Sequence, residues 1–401
     1  MKIHVITDIF DPSKGSEFQL AQKALITISE SSQKKIILWT LLKGNNKETI
    51  QNWLIKKDFS NRVDVRLLPM TFANLNGDHR TKIHFYLDLA RLYLFSLSKI
   101  DSKDLIWKCG QVNYFFNIFF LFVRRKLILG PLSGFEYPII YKVYGIPICF
   151  RIYYCLYGLA NLFFRLIFKL CIFLSNKEKT NFLLATPSDF DELNVFKYKN
   201  IHLINEIDIK GIINTRDALA ASEVGFSYDV IWAGAFINRK NPLLALESLT
   251  VYLRENLSAN VLMLGDGPLS NQIKEKHEQL PNHIRSRLIL TKNLDRNKFL
   301  RILFDAKVLL VTSLREVNSV LVYEALCMGV PIVASNVSGM RTSITDYGHL
   351  FDITSKYVCR EIVDNLLHFS SLNYRTLSPQ KFLTEHFKEQ AVLKAILYSY
   401  D

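Results

Sequence analysis

Apolar positions along this chain come in short continuous runs, separated by segments with helical spacing. "KIHVITDIF" at the N-terminus is a strand candidate, followed by a glycine-containing turn, "DPSKGSE", and a helical run, "FQLAQKALITISE". "KIILWTLL", "DVRLLPM", "DLIWKC" and "KLILGPL" continue the strand series. After about residue 187 the pattern restarts with "IHLINEI", "DVIWAGAF", "NVLMLGDG", "RLILTK", "KVLLVTS" and "PIVASNV". Helical runs such as "NPLLALESLTVYL" and "NKFLRILFDA" alternate with them. Strands that are Val/Ile/Leu almost throughout are buried on both faces, as in parallel sheets covered by helices. Two such series predict an α/β chain with two Rossmann-like domains and a cleft between them.

Length agrees with this division, because 401 residues exceed what one ordinary core accommodates. A hydrophobic content of 49% against 22% charged excludes a disordered chain. The six cysteines (109, 149, 155, 171, 327 and 359) form no CxxC pair and no cluster with histidine. That pattern predicts reduced, buried thiols in a cytoplasmic protein, and no metal site is readable. The N-terminal apolar run is too short and too acidic for a signal peptide, which also points to the cytoplasm.

The net charge of +13 is informative once it is divided along the chain. Residues 1–187 hold 26 Lys+Arg against 13 Asp+Glu, and residues 188–401 hold 24 of each. The first half therefore faces something anionic, either nucleic acid or an acidic lipid surface. No zinc finger, basic zipper or aromatic RNA-binding signature is present, so the expectation is membrane and no nucleic acid.

"GIPICFRIYYCLYGLANLFFRLIFKLCIFLSNKEK" (145–179) supports that choice. Its charge-free core between Arg151 and Arg165 is 13 residues, short of the roughly 18–20 needed to span a bilayer. Aromatics and leucines interspersed with Arg151, Arg165 and Lys169 fit a helical hairpin or an interfacial segment, its basic side chains turned to headgroups. A pair of buried domain helices is the alternative that the pattern leaves open. "VNYFFNIFFLFVRRK" (112–126) is a candidate addition to the same surface.

Four stretches of the second series suggest chemistry, and each follows a strand. Ligands in doubly wound sheets bind outside the carboxyl ends of strands. In "WAGAFINRKNP", Gly234 permits a turn while Arg239 and Lys240 offer two cations for a diphosphate, although a solvated loop shows the same pair. In "LGDGP", Gly265 allows close approach of a ligand or makes an ordinary turn. In "SLREVNSVLVYEALCMGVPIVAS", Asn318 or Ser319 is a helix N-cap candidate that leaves backbone N–H groups free for a phosphate, with Val320 just inside the helix. Glu316 lies at the mouth, and Glu324 is placed to accept bonds from two ribose hydroxyls. Spacing alone equally allows Glu316 to pair with Arg315 or Arg341 and Glu324 to be surface. In "MGVPIVASNVSG", Gly329 ends the helix and Pro331 starts the next strand.

The ordered set "GAFINRKNP", "LMLGDGP", "TSLREVNSVLVYEALCMGVPIVAS" and "VSG" resembles the nucleotide-sugar half of the retaining glycosyltransferases of the GT4 family, marked by Glu, seven residues, Glu. "DPSKGSE" resembles that family's glycine-rich loop, "LILGPLSGFEYP" a Gly-Pro-x-x-Gly-x-Glu stretch of one branch, and "HLINEID" its hinge. The resemblance implies a GT-B architecture of two Rossmann-like doubly wound domains facing a central cleft. An acceptor domain would span 1–187, a donor domain 188–378, and a last helix, 379–401, would cross back to the first. It implies that Arg239 and Lys240 clamp the donor diphosphate, Glu324 holds the ribose and Glu316 contacts the transferred sugar. Gly15 and Ser16 would crowd the phosphate, Asn293 would join the donor set, and Lys108 and Glu136 would lie on the acceptor side. Two departures are visible. Val317-Asn318-Ser319 replaces a Gly-Phe-Gly-like stretch, and Lys108 stands nearest where family members often carry a histidine.

The expected activity is retaining transfer of a hexose or N-acetylhexosamine from a UDP- or GDP-sugar to a lipid-linked saccharide. Surface polysaccharide assembly (capsule, O-antigen or exopolysaccharide) at the inner face of the cell membrane is the expected setting. No cofactor is implied and no metal is required, because cations and positioning carry the chemistry. A sugar-nucleotide epimerase or hydrolase and a degenerate scaffold are the competing readings.

Overall fold

The structure is a computed structural model. It describes residues 1–12, 19–71, 82–110, 114–123, 125–133, 143, 148–174, 179–194, 200–204, 209–221, 228–292, 294–316, 319–337, 340, 344, 348–372 and 380–400.

The apolar runs become two parallel sheets. The first contains β1 (Ile3–Ile9), β2 (Ile36–Leu42), β3 (Val63–Pro69), β4 (Leu105–Lys108), β5 (Lys126–Leu132), β6 (Thr180–Leu184) and β7 (Ile201–Leu203), in the order β3-β2-β1-β4-β5-β6-β7. The strand order turns back between β1 and β4. Connections on either side of that point place helices on opposite faces. Helices α1 (Gln19–Ser31) and α2 (Asn46–Lys56) share one buried cluster with Ile3, Val5 and Trp107. Helices α3 (Lys82–Lys99), α4 (Tyr114–Leu121) and α5 (Ile148–Leu174) contribute Leu92, Phe120, Phe168 and Ile172 to the cluster on the other face. A short helix, α6 (Pro187–Asn194), separates β6 from β7.

The second sheet contains β8 (Val230–Ala233), β9 (Val261–Leu264), β10 (Leu288–Thr291), β11 (Val308–Val311), β12 (Ile332–Ser335) and β13 (Gly348–Phe351), in the order β10-β9-β8-β11-β12-β13. Its turning point lies between β8 and β11. Around it run α7 (Ile209–Ala220), α8 (Pro242–Glu255), α9 (Ser270–Glu278), α10 (Asn282–Arg285), α11 (Arg296–Asp305) and α12 (Val320–Cys327). The helices Val358–Ser371 and Gln380–Tyr398 follow.

The chain divides into two compact units, one of Met1–Phe135, Asn161–Asp208 and His386–Asp401, the other of Glu136–Ala160 and Ile209–Glu385. These limits differ from those drawn at 187 and 378. Leu183 of β6 pairs with His202 of β7, so "IHLINEI" closes the first sheet and does not open the second. A hydrophobic run marks a buried strand but carries no record of its partner. Residues 386–401 join the first unit, where Leu393, Ile396, Leu397 and Tyr400 are buried beside α1.

Of the two forms expected for 145–179, a helical hairpin or an interfacial segment, the hairpin is not what forms. The segment contains one continuous helix, α5, of 27 residues, long and apolar enough to cross a membrane by length and composition. Arg165 and Lys169 do not face outward. Four residues apart, they share a helix side with buried Phe168, and both donate to Oε1 of Glu192 on α6, Lys169 at 2.6 Å. Arg151 is partly buried. The expectation of buried thiols holds for Cys109 and Cys327 alone, while Cys149 and Cys155 are exposed on α5.

Candidate active site

Parallel register brings the loops after β8, β9 and β11 to one edge of the second sheet. Leu310 of β11 aligns with Trp232 of β8, and Ala233 of β8 aligns with Leu264 of β9. The edge between β8 and β11 is the topological switch point, where a doubly wound sheet opens a crevice for ligands.

The basic loop after β8 is built by its own residues. Asn238–Lys240 form a single 3-10 turn, Asn241 ends it in the left-handed region at φ 50°, and Pro242 starts α8. The loop is then fastened to the end of β11. Thr312 Oγ1 shares its proton between the carbonyls of Lys240 (2.9 Å) and Asn241 (3.0 Å) and accepts from Trp232 Nε1 at 2.9 Å. Leu314 N donates to the Arg239 carbonyl at 2.7 Å. This fastening sets where the two cations stand.

Lys240 Nζ donates to Glu316 Oε1, and Arg239 Nη1 lies 3.5 Å from the same oxygen and 3.0 Å from the Arg315 carbonyl. Glu316 is buried, and the Arg239 and Lys240 side chains remain 40% and 21% exposed. A buried carboxylate held by half-exposed cations is stable as it stands, and the cations keep donors free for an incoming anion. The partner of Glu316 is thus Lys240, reached across 76 positions of chain. Arg315 instead donates to Tyr157 Oη at 3.0 Å, with its guanidinium 5.5 Å from that ring's centre. Arg341 lies outside the described residues.

Glu324 sits on the buried side of α12 with Val322 and Ala325. It pairs with Arg296 at the start of α11, whose own N-cap, Asp295, accepts from Asn297 N at 2.9 Å and Lys298 N at 3.2 Å. Burial pushes the Glu324 carboxyl above its ordinary value, and Arg296 opposes this without cancelling it. Arg296 was not nominated by the sequence. A single arginine in a polar helical segment gives no signal until folding sets it beside an acid.

Among the donor-side candidates, Gly265 has a structural explanation. A Cβ there would meet the Gly234 carbonyl oxygen at 2.1 Å and the Phe236 ring at 2.6 Å. Gly234 itself has room for a Cβ and donates its N–H to Leu264 O at 3.0 Å. Ser319 caps α12 in extended conformation with no side-chain capping bond, and Val320 begins that helix. Gly329 ends it at φ 74°. Gly15, Ser16, Asn293, Asn318 and, on the acceptor side, Glu136 lie outside the described residues.

Lys108 ends β4 at the switch point of the first sheet and is buried. Its ammonium donates to Cys109 O at 2.7 Å and Asp8 Oδ1 at 3.2 Å, and lies 5.0 Å from the Tyr93 ring centre. Tyr93 Oη donates to the same Asp8 oxygen at 2.8 Å. Burial pushes the neighbouring Cys109 thiol up to about 12, which leaves it protonated and inert as a nucleophile. Among the described residues, no group of His, Cys, Asp and Glu could hold a metal ion.

Residues 224–372 match the model of a family described as glycosyl transferases group 1. Comparison with curated proteins returns no match. Solved structures resemble the whole chain at low identity. One is the trehalose-6-phosphate protein of E. coli bound with UDP-2-fluoro glucose, at 13% identity and TM-score 0.58, covering 100% of this chain and 96% of that one. HepE of Anabaena in complex with UDP is 15% identical at TM-score 0.59, covering 98% and 100%. TarM of S. aureus, in complex with fondaparinux, alpha-GlcNAc-glycerol and UDP, is 12% identical at TM-score 0.62, covering 100% and 99%. The two parallel-sheet α/β units are those of the GT-B fold.

Proposed function

We propose that this chain is a retaining glycosyltransferase that moves a hexose or N-acetylhexosamine from a nucleotide sugar to a lipid-linked saccharide acceptor. The observation that carries the reading is the convergence of Lys240, Arg239 and Glu316 at the switch point of the second sheet, on loops held together by Thr312. The family match over that unit supports it. UDP or a UDP-sugar is held by three of the similar structures, which favours a uridine diphosphate donor.

In this reading the donor diphosphate takes the free donors of Arg239 and Lys240. The acceptor hydroxyl oxygen bonds to the anomeric carbon as that carbon's bond to the diphosphate breaks, the hydroxyl proton passes to the leaving diphosphate, and the two cations stabilise the charge developing there without needing a metal. Glu316, released from part of its pairing, accepts from a hydroxyl of the transferred sugar. Glu324, released from Arg296, accepts from the ribose. Retention follows from the family resemblance of the Glu316 to Glu324 stretch. Peripheral association with the cytoplasmic side of the membrane, in surface polysaccharide assembly, follows from the apolar exposed side of α5 and the basic first half of the chain.

Isothermal calorimetry against UDP, GDP, ADP and their common sugars tests the donor site. A uridine nucleotide is expected to bind, with affinity falling tenfold or more in Lys240→Ala and in Glu324→Ala. If no nucleotide binds, the transferase reading fails and a scaffold replaces it. The anomeric configuration of the transferred sugar, read by NMR, checks retention, and an inverted product overturns that part.

A further inference from the structure

The first sheet's helices are unequal in what they show to solvent. Thirteen of the sixteen exposed large apolar side chains described in the first unit lie on α3, on α5 or in and just after α4. These three helices bury Leu92, Phe120 and Phe168 in one cluster on one face of the sheet. Their opposite sides therefore look the same way. On α3 that side carries Leu87 and Leu94, around α4 Phe119 and Phe122, and on α5 Phe163 and Leu170. So large an apolar area on one side of a soluble fold needs an occupant.

Charge selects that occupant. Neither α4 nor α5 contains an acidic residue, and the one on α3, Asp88, is fully buried and paired with Arg91. Arg91 and Lys99 are exposed among the apolar side chains of α3. Leucine and phenylalanine with a sparse basic fringe and, on the three helices themselves, no exposed carboxylate match an anionic lipid surface.

We infer that the outer sides of α3, α4 and the 161–174 part of α5 form one lipid-docking layer, in which α5 lies in the plane of one leaflet and does not cross it. Crossing would require α5 to leave the sheet, exposing Phe168 and Ile172 and breaking the pairs of Arg165 and Lys169 with Glu192. Those pairs turn its charges inward and leave an unbroken apolar strip outward. This rests on the membrane-associated reading above and adds α3, which that reading did not include.

The test is flotation of the full chain with vesicles of phosphatidylcholine containing phosphatidylglycerol, comparing the native protein with the double variant Leu87→Glu, Leu94→Glu. Leu94 is 70% exposed, so the variant is expected to fold, and unchanged UDP binding checks that it does. Native protein is expected to float and to be released by alkaline carbonate, with the variant partitioning at least tenfold less. Native protein that stays with the pellet, a variant that floats equally well, or resistance to carbonate overturns the inference. So does a native dimer in lipid-free gel filtration that the same variant makes monomeric. UDP binding without flotation would sink the docking layer and leave the donor site standing.

Discussion

Glu324 is a carboxyl whose burial and proposed role oppose one another. Burial raises its proton affinity above that of an unfolded glutamate, so the folded state is favoured by the neutral form and loses that advantage as pH rises through the folded value. Native protein is therefore expected to lose stability relative to Glu324→Gln as pH rises above the ordinary glutamate range, as read from melting temperatures without nucleotide. Nucleotide affinity should move the other way, rising over the same interval, because a ribose hydroxyl needs the ionised acceptor. Gly265 illustrates a different constraint. Gly265→Ala drives a methyl into the Gly234 carbonyl, and a loss of at least about 2 kcal/mol in urea unfolding is expected. Both candidate acids were nominated in the sequence by the resemblance of the Glu, seven residues, Glu stretch, which spacing alone left undecided. Their partners were not, since Lys240 and Arg296 lie 76 and 28 positions away and are brought close only by the sheet.

Helix α5 shows how an element acquires two sides. Its composition reads as an interfacial segment with basic residues interspersed, which suggested basic side chains turned to headgroups. In the fold the charges at 165 and 169 face Glu192 and the core. Burial alone would raise the Glu192 carboxyl, but hydrogen bonds from Lys169 and Arg165 outweigh it and hold the group below its ordinary range. Glu192→Ala leaves two half-buried cations four residues apart without a partner, and a loss of about 1 kcal/mol is expected in urea unfolding. An unchanged midpoint would show the triad to be energetically idle. The loop 238–241 is the opposite case, because its single 3-10 turn, left-handed Asn241 and Pro242 at the start of α8 are shaped by neighbours in the chain.

At the scale of the whole chain, the C-terminal residues belong with the N-terminal sheet. Leu397 is buried there beside Leu25 and Ile28. Leu397→Ala is expected to cost about 2–5 kcal/mol in urea unfolding followed by circular dichroism. Nucleotide affinity, which the proposed function assigns to the second unit, should stay within twofold. A fall in affinity of tenfold would show that the donor site depends on the first unit's core.

The sequence by itself determined the class of fold, because continuous apolar strands alternating with helical runs can be buried only in parallel sheets covered on both faces. It also determined the candidate acids and cations at strand ends, where side-chain chemistry and turn geometry are local. Only the tertiary structure decided that "IHLINEI" completes the first sheet, that Lys240 holds Glu316, and that Arg165 and Lys169 face inward. Each of these is a choice of partner at long range, and a chain's periodicity encodes burial without saying against what.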